Sequence, residues 1–326
     1  MLGRSGATPG WRGLRIWSAA AWILVALLAA PASAVAGEAE APAPSEEPAQ
    51  PPPVGKHCAD QDGSHLVWHQ LLVGRINPLG IEHSGRFGVC APLVRHPSIL
   101  LNRTNIETGA VHQLAPAYGH LGGYVQLTPL SVLQLRAELS ALRYWPFPVK
   151  RSGYFRLQSY DDRHEPDVLT TDIAESANGM NLNLIASPRF KIPIGPVSIV
   201  GLDVFSWEYW AVGDAPFYVN PRRELVLKRQ DRLIANEAML MVELGLTDGL
   251  NLRVGGFDAL AYGIGSEVVN NAVGGLAMLH WPEAHAVLRN LTPFVRAGAY
   301  THHAFREGQF VLYLGALGTF DVATLP

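Results

Sequence analysis

Three features of this 326-residue sequence predict an all-β fold: a transmembrane, antiparallel, up-and-down β-barrel of about twelve strands, with ten to fourteen allowed. Apolar and polar residues alternate with period two along most of the chain after residue 64. The alternating runs are about ten residues long, whereas strands of soluble domains average about five or six. Aromatic residues gather at the ends of these runs: Tyr144 and Trp145, Trp207, Tyr209 and Trp210, and Trp281. A membrane barrel places such residues in interfacial girdles.

The start of the chain predicts export. Arg4, Arg12 and Arg15 precede an apolar stretch from Ile16 to Ala30, and the small residues Ala32-Ser33-Ala34 and Ala34-Val35-Ala36 follow. That is the three-part pattern of a secretory signal peptide over 1–36, rather than an uncleaved anchor. Its removal would leave 22 basic and 28 acidic residues, a net charge of −6. Residues 37–64 form a Pro/Glu/Ala-rich periplasmic linker by composition. Proline fixes φ and removes amide donors, so an extended, solvated spacer is expected there. Residues 65–326 form the barrel. Cys58 and Cys90 are the only cysteines. In an exported chain they form a candidate disulfide that would pin the end of the linker to the barrel.

The strands follow in order. Residues 66–76 and 81–93 come first, the second carrying Phe87, Val89 and Ala91 against Arg86 and Gly88. Residues 116–128 precede the clearest run, 131–145. There Leu133, Leu135, Ala137, Leu139 and Ala141 form one row, and Gln134, Arg136, Glu138 and Ser140 the other. A strand puts these charges on a single face, whereas a helix would scatter them. Further strands are expected at 180–192, 197–210, 232–246, 250–264, 269–281, 291–303 and 309–321. This reading counts eleven, and bacterial single-chain barrels have even numbers. The missing strand is expected near the start or inside a long connection, with 98–105 and 154–160 as candidates.

A soluble sandwich would bury the apolar rows against each other, whereas a membrane barrel turns them to lipid. Strand length, aromatic placement and polar rows rich in Gly, Asn and single charges favour the barrel. Connections agree with it. Short turns at Asn77-Pro78-Leu79-Gly80, Thr128-Pro129-Leu130, Pro193-Ile194-Gly195-Pro196 and Thr247-Asp248-Gly249 alternate with longer connections at 95–115, 146–179, 211–231 and 265–268.

At Arg75-Ile76-Asn77-Pro78-Leu79-Gly80-Ile81-Glu82-His83, and again at Leu127-Thr128-Pro129-Leu130-Ser131-Val132-Leu133-Gln134-Leu135-Arg136-Ala137, the chain resembles a group of uncharacterised outer-membrane proteins of Gram-negative bacteria. The resemblance covers roughly 65–320. It implies a β-barrel in the outer membrane and supplies no activity. Many such barrels end on an aromatic residue, whereas here Phe320 is followed by Asp321-Val322-Ala323-Thr324-Leu325-Pro326.

Catalytic sets are faint. Glu175-Ser176-Ala177-Asn178-Gly179 lacks the histidine that would activate a serine, and reads as a polar loop entering a strand. Asp161-Asp162 with His164 reads as an acidic outer loop. His302 and His303 are adjacent, so a regular strand would aim them at opposite faces, which argues against one shared metal. His57, His65 and His69 near Asp60 and Asp62 form a second loose group. No catalytic, cofactor or metal residues are therefore assigned.

The candidate functional residues are instead lumen-lining: Gln134, Arg136, Glu138, Arg189, Asp203, Glu243, Arg253 and Arg296. Both signs of charge occur, so cross-strand ion pairs are expected. The expected function is porin-like passage or binding of small solutes without covalent chemistry. A closed structural or adhesive barrel acting through its long loops is the alternative, and an outer-membrane hydrolase stands third. Expected partners are outer-membrane lipid, the barrel-assembly machinery and small solutes. Near-neutral charge gives no case for nucleic acid.

Overall fold

The computed structural model describes residues 63–77, 79–94, 98–147, 153–158, 175–247, 249–285 and 288–325. The signal-peptide and linker readings, Cys58, and the Asp161, Asp162 and His164 group lie outside these residues.

Twelve long strands close into one antiparallel barrel. In chain order they are β1 (Ser64–Ile76), β2 (Gly80–Pro92), β3 (Asn105–Ala115), β4 (Tyr118–Leu130), β5 (Leu133–Tyr144), β7 (Ala177–Ile194), β8 (Val197–Val212), β11 (Gln230–Thr247), β12 (Leu250–Gly263), β13 (Val268–Glu283), β14 (Leu288–His302) and β15 (Phe310–Leu325). The short strands β6 (Arg156–Leu157), β9 (Phe217–Asn220) and β10 (Leu225–Lys228) form a separate three-stranded sheet. The ring closes where β1 pairs with β15, Trp68 facing Phe320. Closure leaves no unpaired sheet edge, which a membrane span requires.

The missing strand is β3, hidden in the connection 95–115. Neither of its rows is cleanly apolar: Ile106, Ala110 and Leu114 share a face with Thr108 and His112, while Glu107 and Gln113 share theirs with Gly109 and Val111. Of the two candidate segments, 98–105 is a turn leading into β3, and the described part of the other, 154–158, holds the two-residue β6. With β3 in place the start of β1 and the end of β15, Ser64 and Leu325, lie at the same end of the barrel. The turn at Asn77 then lies at the opposite end, together with the described residues of the connection after β5 and the connection 213–229.

The side-chain alternation resolves into two walls. Leu72, Leu121, Leu139, Leu184, Phe190 and Val254 stand exposed on the outside. Glu107, Gln126, Asn183, Glu208 and Glu243 are buried inside. This is the polar-in, apolar-out distribution of an outer-membrane-type barrel. Part of the inner wall is apolar too: Met241, Phe257, Ala272, Leu276, Tyr300 and Val311 pack together.

Candidate functional site

The site is the lumen and the loop that enters it. The connection 213–229 runs from β8 to β11 and contains the β9–β10 hairpin, paired from Leu225–Asn220 to Lys228–Phe217. Its tip is Asn220-Pro221-Arg222-Arg223-Glu224. The Asn220 side-chain oxygen accepts from the amides of Arg222 and Arg223, both at 3.1 Å, and so builds the turn. Glu224 takes a left-handed φ of 54°.

The tip is fastened to the inner wall on several sides. Arg223 pairs with Glu208, whose other oxygen accepts from Trp210 Nε1 at 2.8 Å. Asn270 Nδ2 donates to the Arg223 carbonyl at 2.9 Å. Glu224 pairs with Arg75, lies 3.4 Å from His303 Nε2 and 3.6 Å from Arg306 Nε, and accepts from the Tyr300 hydroxyl at 3.2 Å. Arg222 lies among the charges of Glu82, Glu208 and Glu138. Buried pairs of this kind are poor sources of net stability but costly to break singly. The tip is therefore held in one position by many contacts at once.

Above the tip an aromatic layer lies at the loop end of the barrel. Tyr118, Tyr144, Tyr154, Trp210 and Tyr218 pack with Leu142, Leu225, Leu227 and Leu233. Tyr154 stacks on Tyr218 with centroids 6.1 Å apart, and its hydroxyl accepts from the Ala215 amide at 3.1 Å. Tyr144 and Trp210, expected in an interfacial girdle, belong to this plug and are fully buried. Their place in the inward row decides it, since Trp207 and Tyr209 in the opposite row of β8 face outward. Outside the plug, Arg156 binds Asp214 at 2.8 Å and Glu175 at 3.0 Å. Those carboxylates raise the guanidinium pKa above its ordinary value.

The remaining lumen charges form local networks. Arg136 lies 2.7 Å from Glu138, which accepts from Asn183 at 3.3 Å. Glu243 bridges Lys191 at 2.5 Å and Arg253 at 2.6 Å. Arg296 pairs with Glu237 and lies 4.2 Å over the Phe257 ring. Arg189 Nε donates to the Ser131 carbonyl at 3.1 Å, and half-buried Gln134 stands in the same inward row as Arg136. These seven candidates therefore stand on the inner wall.

Asp203 does not. It shares the outward row of β8 with Gly201, Phe205 and Trp207, and accepts from Asn236 Nδ2 at 2.6 Å. Both rows of β8 are mostly apolar, so alternation alone could not say which way its aspartate points. Cys90 is buried in the inward row of β2 and is not a free thiol.

Sequence reasoning missed Glu107, Glu208, Glu224, Arg75 and Arg223. Glu107 gathers His69 at 3.0 Å, Tyr124 at 2.5 Å and Gln126 at 3.3 Å. The signal available for it was Glu107-x-Gly109 in a period-two run, obscured by the mixed rows of β3. His302 and His303 do part company: His302 is exposed near Glu307, and His303 is buried against Glu224. Glu175 is engaged by Arg156, beside the exposed Ser176. Among the described residues no group of three or more His, Cys, Asp or Glu side chains could hold a metal ion.

These features define an outer-membrane-type β-barrel with an inserted loop. No protein-family model and no curated protein matches the chain. Solved structures do. The β-domain of the Bordetella autotransporter BrkA is 13% identical over 80% of this chain and 100% of that one, with a TM-score of 0.44. The translocator domain of the autotransporter NalP from Neisseria meningitidis is 11% identical over 80% and 89%, at 0.41. LpxR from Salmonella typhimurium is 11% identical over 78% and 100%, at 0.39. Nothing about activity follows from likenesses at this level.

Proposed function

We propose that this protein is an outer-membrane barrel, exported by its N-terminal segment, that is shut at rest by its own hairpin. It passes or binds small solutes when the hairpin withdraws, without covalent chemistry on them. The carrying observation is the tip of 213–229, fastened inside the barrel through Arg223–Glu208 and Glu224–Arg75. A hairpin that only decorated the surface would have no use for buried charges. Once the apolar layer above the tip parts, its charged contacts to polar wall residues can be replaced by water or a solute.

Outer-membrane lipid and the barrel-assembly machinery are the partners this reading needs, and a Cys58–Cys90 link would tie the linker to the wall at the chain-termini end. In planar bilayers the native protein should be silent or rarely open. Glu224→Gln combined with Arg223→Gln should open it frequently, in a form whose heat-shifted gel migration shows an intact barrel. A folded double variant that stays silent at all voltages overturns the gated reading.

That outcome would favour the second reading, a closed structural or adhesive barrel. Its supporting observation is that Arg136, Glu243, Arg253 and Arg296 are each paired with an opposite charge or bridged by one. Capture of peptidoglycan or cell-surface partners by the native barrel tests it.

A further inference from the structure

We infer that copies of this barrel associate head to tail in the membrane, an acid-and-amide patch on the outer wall of one meeting a histidine patch on the next. The inference concerns the outer wall and stands whether the lumen opens or not.

Two places break the apolar outer wall. On β8, β11, β12 and β13, Asp203, Asn236, Asp258 and Asn271 face outward, in the rows of Phe205, Leu240, Leu260 and Val273 respectively. Asn236 donates to Asp203 at 2.6 Å, and Asn271 lies within hydrogen-bonding reach of Asp258. Register places the small Ala238 between the two aspartates. Asp258 Oδ1 and Asn271 Oδ1 are buried within the patch and have no hydrogen-bond partner. This patch therefore spends one amide N–H on each aspartate and still carries more acceptor oxygens than donors.

The second break is on β1, β2 and β3. Gln70, His83 and His112 face outward in the rows of Leu72, Phe87 and Leu114. His83 Nε2 is hydrogen-bonded to the Gln70 side-chain oxygen, Oε1, and the His83 and His112 imidazoles lie 5.1 Å apart. They close over Gly85, where a Cβ would meet Gln70 Nε2 and His112 Cε1 at 2.6 Å. With the His83 N–H spent on Gln70, the donors left to this patch are the His112 ring N–H and the unpartnered Gln70 amide group.

The patches share a depth. From His83 the register runs through Leu72, Ala316 and Pro293 and, carried across β13 next to the Met278–Phe294 pair, reaches Leu252 on β12 five strands on. A strand tilt of about 40° lowers that path by roughly 15 Å. Asp258 stands six residues back up β12, a climb of about 15 Å at ~3.3 Å per residue along the same tilt. Tyr262 lies four residues higher again, so both patches sit about 10 Å below that aromatic level, within an apolar band about 25 Å tall. Acyl chains supply neither donors nor acceptors there.

The patches also oppose each other. β2 and β11 are six places apart in the ring of twelve. Between them β4, β5 and β7 show apolar rows outward, as do β14 and β15 on the other side. Complementary patches at one depth on opposite sides make a heterologous contact with almost no rotation between copies, which builds rows rather than closed rings.

The test is oxidative cross-linking in native-like vesicles. Ala238→Cys lies between the aspartates, and Ala110→Cys lies two residues from His112 on its face. The double variant should give a ladder of dimers, trimers and longer species above the parent chain. Asp203→Leu with Asp258→Leu, or His83→Leu with His112→Leu, should cut the ladder about tenfold. Both changes make the wall more apolar, and heat-shifted migration should show the barrel intact. Monomers only, a dimer from Ala238→Cys alone, or cross-links solely to other proteins would each overturn head-to-tail association.

Discussion

Gly213 shows how much of the plug rests on one small residue. Its φ is +59°, and a Cβ there would run into the Tyr154 hydroxyl and ring. Its amide donates to the Asn178 carbonyl at 3.0 Å. Gly213→Ala should therefore cost about 1–2 kcal/mol for the left-handed backbone alone, and should also lift Tyr154 off Tyr218. Hydrogen exchange should quicken for amides of 217–228, while strand amides keep their protection. Equal loosening of hairpin and strands would disprove a local role. Glycine-213 reads in the sequence only as loop punctuation. Nothing in Gly213-Asp214-Ala215 says that a tyrosine some sixty residues away, at Tyr154, occupies the space above it.

The same contrast governs whole elements. β5 was legible because its two rows separate cleanly, leucines and alanines against Gln134, Arg136 and Glu138. Its outward row faces acyl chains, so Leu139→Arg should cost about 2–4 kcal/mol near the bilayer midplane. Urea unfolding from lipid vesicles measures this. The same substitution at Gln134, inside, should cost far less, and equal costs would contradict the assignment of the faces. β3 and β8 were harder to read for opposite reasons. β3 carries polar residues in both rows, and β8 carries apolar residues in nearly all of both, so the pattern hid one strand and misplaced Asp203. The hairpin tip was out of reach for a third reason. Arg222, Arg223 and Glu224 in a long polar connection look like a solvated loop. Their partners Glu208, Arg75 and Tyr300 are assembled only by barrel closure.

At the scale of the molecule the reading depends on an inversion: the outside is oily and much of the inside is polar. Tryptophan distributes across that inversion in a way that can be measured. Trp68, Trp207 and Trp281 stand in outward rows, whereas Trp210 is fully buried within the plug and bonded to Glu208. Variants keeping one of these four tryptophans, refolded into vesicles with brominated acyl chains, should separate into two classes. Trp68, Trp207 and Trp281 should be quenched, because their rings touch lipid at the depth of the girdles or just inside it. Trp210 should keep its emission, because the barrel wall and the aromatic layer stand between it and the bilayer. A soluble sandwich with the same alternation would bury its apolar rows face to face and leave all four unquenched. Quenching of Trp210 alone would mean that the inward and outward rows are exchanged, and the plug would then have no lumen to close.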